Sequence, residues 1–490
     1  MHHPSVFLTF LLLFSLNSCR AQSFAEHLDA LMDEHGVMGM SAVVVCDGEI
    51  EAEYYGGLRN YENEWPVNSD TRYRIASVSK SVTAMGCMRL IENGVLELDA
   101  DVSNYLPFGV INMNHPYVPI TLRMLLSHTS SIQDGDGYNG FLTATYTAEG
   151  NLPSLGELLE VGGGYYTSNM YRTEEPGTYF AYSNLNFGLV ATVMEAVTGQ
   201  RFDVLMDSLV FEPLELGCRY EPSALDEIGN VATLYRNQGG WVAQADQFNG
   251  NTPLPPALND YIPGSNGVRF APQGGLRASA RELHTLMTVF LNDGVGPNGV
   301  SVLNPETIEA MLAPEWTFDG SNGNNYYNLF NSWGLGIQQI TNAAVGDIVF
   351  EGQTMWGHPG EAYGLVSDWY FDPVLRNGVI FLTNGVWNGY SFGENSAFYT
   401  LEEGVFAAAF EFTAACASSL PSTPAITQQT TPNFGRPGDA LSSGFACVWV
   451  DAMGKSVAET RAGDSVPALP PGMYLLRSAD GGNLGRFQVQ

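Results

Sequence analysis

An α+β architecture is predicted for this chain from three observations. Two strand-like runs near the N-terminus, 40–46 and 49–55, are joined by a tight turn at Asp47-Gly48. The middle of the chain is helical in periodicity, with long Gly/Asn/Asp-rich loops between the helices. Strand-like runs then return late, near 334–340, 363–371 and 377–383. Strands at both ends with helices inserted between them do not fit a regular βαβ alternation.

The elements follow in order. Residues 23–35 read as a helix ahead of the first strand pair. From Ser77 to about Asn93, Val82, Met85, Leu90 and Ile91 recur at helical spacing, and Gly94 closes the run. Helical signals recur at 121–127, 184–198, 202–209, 279–291 and 305–312, and an apolar helix at about 396–412 ends the large unit. The stretch 413–432 is rich in Ser, Thr and Pro and reads as a linker. Beyond it, 433–490 alternates as short strands with turns at Met453-Gly454 and Pro471-Gly472, a small separate β-module.

Composition narrows the function. The chain has 490 residues, 45% hydrophobic and only 15% charged, so it is globular. Its formal net charge of −32 argues against nucleic acid or an anionic membrane as partner. The tail carries equal numbers of basic and acidic residues, so the acidity belongs to the larger unit. Val6 to Leu16 is a short apolar core typical of a secretory signal, too short to span a bilayer. Cleavage after Ala21 would leave Gln22 as the N-terminus, making 1–21 the signal peptide; cleavage before Cys19 would instead attach a lipid anchor. No other segment is long and apolar enough to be a transmembrane helix. Cys46 and Cys87 read as inert core residues, and Cys416 and Cys447 flank the linker and could pair. No metal-ligand spacing appears, and no cofactor motif.

Lysine usage points to the chemistry. The chain has two lysines, Lys80 and Lys455, against eighteen arginines. A position that holds Lys against that bias needs what Arg cannot do, which is to lose a proton and act as a base. Ser77 stands three residues before Lys80, on the same helical face. That is the geometry of a serine nucleophile beside its activating amine. Two further runs join it. Tyr182-Ser183-Asn184 precedes a helix, and a tyrosine hydroxyl near a lysine can shuttle protons. Gly357-His358-Pro359-Gly360 precedes a strand-like segment, where a glycine permits close approach of substrate backbone.

The order Ser-x-x-Lys, Tyr-x-Asn, His-x-Gly resembles the serine β-lactamase and penicillin-binding-protein superfamily, most closely its class C β-lactamase-related branch. Leu125–Ser130, Gly274–Ser279, Trp333–Ile337 and Ile380–Asn384 match as well, and the resemblance spans about residues 24–412. It implies a β-lactamase/transpeptidase-like fold, an antiparallel sheet flanked by helices with a helical subdomain. It also implies that Ser77 is the acylated nucleophile, that Lys80 and Tyr182 carry its proton, and that Asn184 orients Lys80 and the acyl group. The oxyanion hole would be the backbone N–H groups of Ser77 and Glu361. The branch includes esterases, D-aminopeptidases and D-alanyl-D-alanine carboxypeptidases. Members that hold a β-lactam carboxylate often have Lys-Thr-Gly where this chain has His358-Pro359-Gly360. The hydroxyl is gone and the cation becomes a group that titrates at roughly pH 6 to 7. An ester or amide outside the β-lactams is therefore the expected substrate, ahead of a D-Ala-D-Ala carboxypeptidase or β-lactamase and of an inactive peptidoglycan- or ligand-binding module.

The tail, through Val448–Val457, Leu469–Leu476 and Gly485–Val489, resembles the C-terminal sorting domain of type IX secretion cargo. It implies a small β-sandwich, passage through the secretion machinery, and a secreted or cell-surface location. Three other features read as bland. Gly389-Tyr-Ser-Phe-Gly393 matches a nucleophile elbow, but no histidine follows it to complete a triad. Asp134-Gly-Asp-Gly-Tyr138 opens like a calcium loop, but Thr145 stands where the closing Glu belongs, so it reads as a turn. His128 reads as a structural hydrogen-bonder beside the site.

Overall fold

The computed structural model describes residues 23–148, 151–388 and 390–419, together with five strands of the tail. The chain divides into two compact units, Met1–Ser418 and Ser419–Gln490. The signal segment lies outside the described residues.

The larger unit is built on a nine-stranded sheet. Its strands are β1 (Gly39–Cys46), β2 (Glu49–Asn60), β3 (Trp65–Pro66), β4 (Trp316–Thr317), β5 (Ser332–Trp333), β6 (Gln338–Gln339), β7 (Trp356–Ala362), β8 (Leu365–Asp372) and β9 (Asn377–Thr383). Their order is β3-β2-β1-β9-β8-β7-β6-β5-β4, and neighbouring strands run antiparallel. The N-terminal hairpin is joined to the late strands by β1 pairing with β9, from Met40 opposite Thr383 to Val45 opposite Gly378.

All of β1, β8 and β9 is buried. This explains their near-continuous apolar runs, because helices cover both faces of the sheet. Alternation along β1 assigns each side chain to a face. Met40, Ala42 and Val44 pack with Phe24, Leu28 and Leu31 of α1 (residues 23–35). Val43 and Val45 pack into the other, larger core with Val82 and Met85 of α2 (Ser79–Glu92). That core continues through α3 (Leu122–Leu126), α4 (Asp136–Thr147), α5 (Asn184–Thr198) and α6 (Ala280–Leu291). The last helix, α7 (Thr400–Ser419), returns to the first face, where Phe412 meets Phe24 edge-on at 5.2 Å.

Several expectations are corrected. β7, which carries the His-x-Gly run, begins at Trp356 and includes that run, whereas the sequence placed the strand after it. The expected strand at 334–340 is two two-residue strands, Ser332–Trp333 and Gln338–Gln339, with a turn at Gly336. The stretch between the helical signals at 121–127 and 184–198, expected as one of the long loops, holds α4. The closing helix starts later than expected and runs to Ser419, into the stretch read as linker. Cys46 is disulfide-bonded and is not an inert thiol. Cys87 and Cys218 are free and buried. No described helix is long and apolar enough to cross a membrane.

The smaller unit contains five strands, β10 (Phe434–Gly435), β11 (Cys447–Asp451), β12 (Ser456–Thr460), β13 (Gly472–Ser478) and β14 (Asn483–Val489). They form one sheet in the order β10-β14-β13-β11-β12. The described residues of this unit make a single sheet.

Candidate active site

Ser77 lies in the 3-10 turn Ala76–Val78 that leads into α2. The turn is anchored from behind: Tyr73 and Arg74 pair with Ala278 and Arg277, and the Ile75 amide donates to the Leu276 carbonyl at 3.0 Å. Ala76 has φ +47°, left-handed and unfavourable for a residue with a Cβ. Such strain persists where the surroundings hold it, and it directly precedes the serine. As the second residue of a one-turn helix, Ser77 has an N–H with no acceptor inside that turn.

Lys80 is completely buried. Its Nζ is 3.0 Å from Ser77 Oγ, 2.9 Å from Asn184 Oδ1 and 2.9 Å from the Gln273 carbonyl. Burial pulls its pKa down to about 7, opposed by the negative charge of Asp134. The amine can therefore stand neutral near neutral pH, with a definite orientation. Asn184 Oδ1 and the Gln273 carbonyl only accept, so they take its two hydrogens and its lone pair faces Ser77 Oγ.

Tyr182 lies just ahead of α5, with its ring 4.8 Å from Lys80 Nζ. Burial raises the pKa of its phenol, an effect countered by a hydrogen bond with Ser77. The phenol thus stays protonated where the lysine can be neutral. Tyr182 sits in an aromatic box, stacked on Phe330 at 5.4 Å and edge-on to Trp333 at 5.9 Å. His128 packs against it at 4.4 Å. His128 Nδ1 accepts from the Ser183 amide at 3.2 Å, and its own carbonyl accepts from the Ala181 amide at 2.9 Å, so it clamps the Tyr182 loop from both sides. Burial, and then Lys80, hold this histidine well below its ordinary pKa. It is a structural hydrogen-bonder, as the sequence indicated.

The third run lies on β7. This strand pairs with β6 only at Trp356 and Gly357, so from His358 onward that edge is left to the Ser77 turn packed against it. Gly360 is required here: a Cβ at this position would lie 2.8 Å from the Ile75 carbonyl and 3.2 Å from the Ser77 nitrogen. Glu361 follows on the same strand, and its carboxylate accepts from the Tyr399 hydroxyl at 2.8 Å. The strand then turns back through Tyr363 (φ +57°) and Gly364 (φ +101°), the two positive-φ residues of a tight hairpin.

His358 differs from expectation. It is fully buried, and desolvation, then repulsion from Lys80, drive its pKa down to about 3. Its Nδ1 lies 2.6 Å from the Pro359 carbonyl, an acceptor, so Nδ1 carries the proton of the neutral ring. It does not titrate near pH 6 to 7, because local sequence reports the residue type but not its burial. The third run offers substrate a neutral ring and no cation.

Six of the seven sequence-selected residues, Ser77, Lys80, Tyr182, Asn184, His358 and Gly360, thus come from distant parts of the chain into one cluster, and Glu361 follows Gly360 on β7 with its carboxylate bonded to Tyr399. Sequence reasoning missed two participants. Gln273 contributes only a backbone carbonyl, which leaves no side-chain signature. Asp134, read as part of a turn, instead precedes α4 and reaches the N-terminus of α5. Its Oδ1 accepts from Ser183 Oγ at 2.8 Å and the Leu185 amide at 3.0 Å, and its Oδ2 from the Asn184 amide at 3.1 Å and Asn184 Nδ2 at 2.9 Å.

A serine hydroxyl beside a buried lysine that can be neutral, with a phenol and an open strand edge around it, defines a serine hydrolase. The chain belongs to the Beta-lactamase family, whose model matches residues 24–396. Penicillin-binding protein 4 of Amycolatopsis lactamdurans is 27% identical over 368 residues, covering 74% of this chain and 84% of that protein. Esterase EstB of Burkholderia gladioli is 28% identical over 413 residues, covering 76% of this chain and 94% of the esterase. In fold, the chain is similar to an octameric penicillin-binding protein homologue from Pyrococcus abyssi. The TM-score is 0.59 at 20% identity, covering 94% of this chain and 87% of that one. The larger unit therefore has the α+β, β-lactamase/transpeptidase-like fold.

Proposed function

We propose that this hydrolase cleaves an ester or amide outside the β-lactams through an acyl-enzyme on Ser77. The observation that carries the mechanism is Lys80 Nζ, buried, 3.0 Å from Ser77 Oγ, with its hydrogens taken by two acceptors. Neutral Lys80 removes the Ser77 proton as Oγ attacks the substrate carbonyl. The oxyanion forms between the backbone N–H groups of Ser77 and Glu361. Tyr182 passes its proton to the leaving group and takes back the one on Lys80. Water then releases the acyl group by the same route in reverse.

The neutral, buried His358 supports the substrate class. A carboxylate beside the scissile bond finds no positive charge there, while an uncharged ester or amide loses nothing. Purified enzyme should turn over p-nitrophenyl esters or D-aminoacyl amides and leave nitrocefin intact. A fluorophosphonate probe should label wild type and not Ser77→Ala. Rapid nitrocefin turnover without esterase activity would assign the protein to the β-lactamase or carboxypeptidase reading. Absence of labelling and turnover under all conditions would make it a binding module.

The export features belong to the same proposal: a signal peptide cleaved after Ala21, and a sorting role for 433–490 that delivers the hydrolase outside the cell or to its surface. Deleting 433–490 should leave specific activity unchanged and trap the enzyme in the periplasm. Normal export of the truncated protein would remove the sorting role, and loss of hydrolysis would place the tail in the substrate site.

A further inference from the structure

We infer that Asp134 is a positioning residue that fixes the direction of the Asn184 amide and, through it, the orientation of the Lys80 amine. The inference rests on the Ser77 acyl-enzyme reading for its catalytic consequence, but the geometry stands by itself.

The two ends of an Asn side-chain amide are nearly the same shape, and its neighbours decide which end points where. Asn184 has one end 2.9 Å from Asp134 Oδ2 and the other 2.9 Å from Lys80 Nζ. A carboxylate only accepts, so the NH2 end must face Asp134 and the carbonyl end must face the lysine. Reversal would set a carbonyl oxygen against a carboxylate and an NH2 group against the amine. Asp134 cannot swing away, because its two oxygens also hold Ser183 Oγ, the Asn184 amide and the Leu185 amide. Those three residues open α5, so the carboxylate also satisfies donors that the helix leaves unpaired. Of the two side-chain partners of Asn184 among the described residues, Lys80 and Asp134, the carboxylate is the one that can only accept.

The consequence falls on Lys80. Its two hydrogens, when neutral, go to Asn184 Oδ1 and the Gln273 carbonyl, and its lone pair is left for Ser77. If the Asn184 amide were free to turn, its NH2 could donate to that lone pair. The base would then be occupied in hydrogen bonding away from the serine. Asp134 also supplies negative charge to a site whose other titratable neighbours of Lys80, namely Tyr182, His128 and His358, are held in their neutral forms by burial.

Asp134→Asn tests this with little change of shape. The new amide can offer its NH2 to Asn184 and permit the reversal. The expected result is a fall in kcat/KM of about 100-fold carried mainly by kcat, the size expected for a misplaced catalytic group. The double variant Asp134→Asn/Asn184→Ala should be no slower than Asn184→Ala, because the aspartate acts through the asparagine.

A second readout does not need activity. With two lysines in the whole chain, 13C-lysine labelling gives two side-chain signals, and Lys80 is assigned as the one absent from Lys80→Met. Its titration midpoint should be near 7 in wild type and move to lower pH in Asp134→Asn. Wild-type kcat/KM with an unmoved Lys80 midpoint in Asp134→Asn would overturn the inference. So would simple multiplication of the two single-variant losses, which would leave Asp134 as a helix cap only. If wild type carries no acyl group on Ser77 but the Lys80 midpoint still moves, the acyl-enzyme reading fails and the positioning stands.

Discussion

Replacing Lys80 by Arg is expected to lower kcat/KM by at least about 10³-fold, although the positive charge is retained. The variant separates two roles for a cation in the site. If Lys80 served to stabilise negative charge, Arg would substitute for it. If Lys80 takes the Ser77 proton, Arg cannot, because its guanidinium does not ionise in the accessible range. Lys80 has lost its ordinary basicity to burial, with a pKa near 7. The wild-type rate should therefore rise with pH through about 7 as the amine becomes neutral, and level off above it. The limb should contain no titration of His358, since burial keeps that ring neutral down to about 3. A permanently charged Arg in this enclosed position can also weaken the fold. Lys80→Met is the control: it should melt cooperatively and be equally inactive. Substantial esterase activity in either variant, measured alongside Ser77→Ala, would place the base elsewhere.

The second large effect is expected at Gly360. A Cβ there would stand 2.3 Å from Ser367 Oγ, 2.8 Å from the Ile75 carbonyl and 3.2 Å from the Ser77 nitrogen. The first contact can be relieved by a side-chain rotation, but the other two are backbone atoms of the nucleophile turn. Gly360→Ala must therefore separate β7 from Ser77, which moves the two proposed oxyanion donors apart. Loss of one such donor is worth about 10²–10³ in kcat. We expect a loss of that size, with a loss of stability from overpacking on the order of 1–3 kcal/mol, read as a lower melting temperature. Gly360→Ala combined with Ser367→Ala removes only the side-chain clash and leaves the two backbone ones, so it should recover neither stability nor rate. Recovery of both would mean that the glycine serves packing alone and that the hole lies elsewhere.

The extent to which the site could be read from the sequence follows from what its signals are made of. Ser77 and Lys80 are three residues apart on one turn, so their contact is local and visible. Tyr182, Asn184 and Gly360 were found because their runs occur in a recognisable order, even though no local rule says that residues 77, 182 and 358 meet. Asp134 was missed for the opposite reason. Its partners Ser183, Asn184 and Leu185 lie about fifty residues away, and its own surroundings look like an ordinary turn. His358 was placed correctly but given the wrong charge, because burial is a property of the assembled core. The same limit applies to Cys46, whose apolar neighbours indicated burial and could not reveal a disulfide. Among the strands, β1, β2 and β9 announced themselves by length and apolar content. β5 and β6 are two residues each, too short for any periodicity to register.

The pairing of β1 with β9 bears on how the molecule is made. Met40 sits opposite Thr383, so the central ladder joins segments separated by most of the larger unit. A ribosome must release nearly all of that unit before the ladder can close, and long-range closure of this kind makes folding slow. Until then the edges of β1 and β9 are bare, and the nucleophile turn has no β7 to rest against. The chain would emerge as an unfinished, inactive polymer and gain its hydrolytic centre only at the last step of assembly.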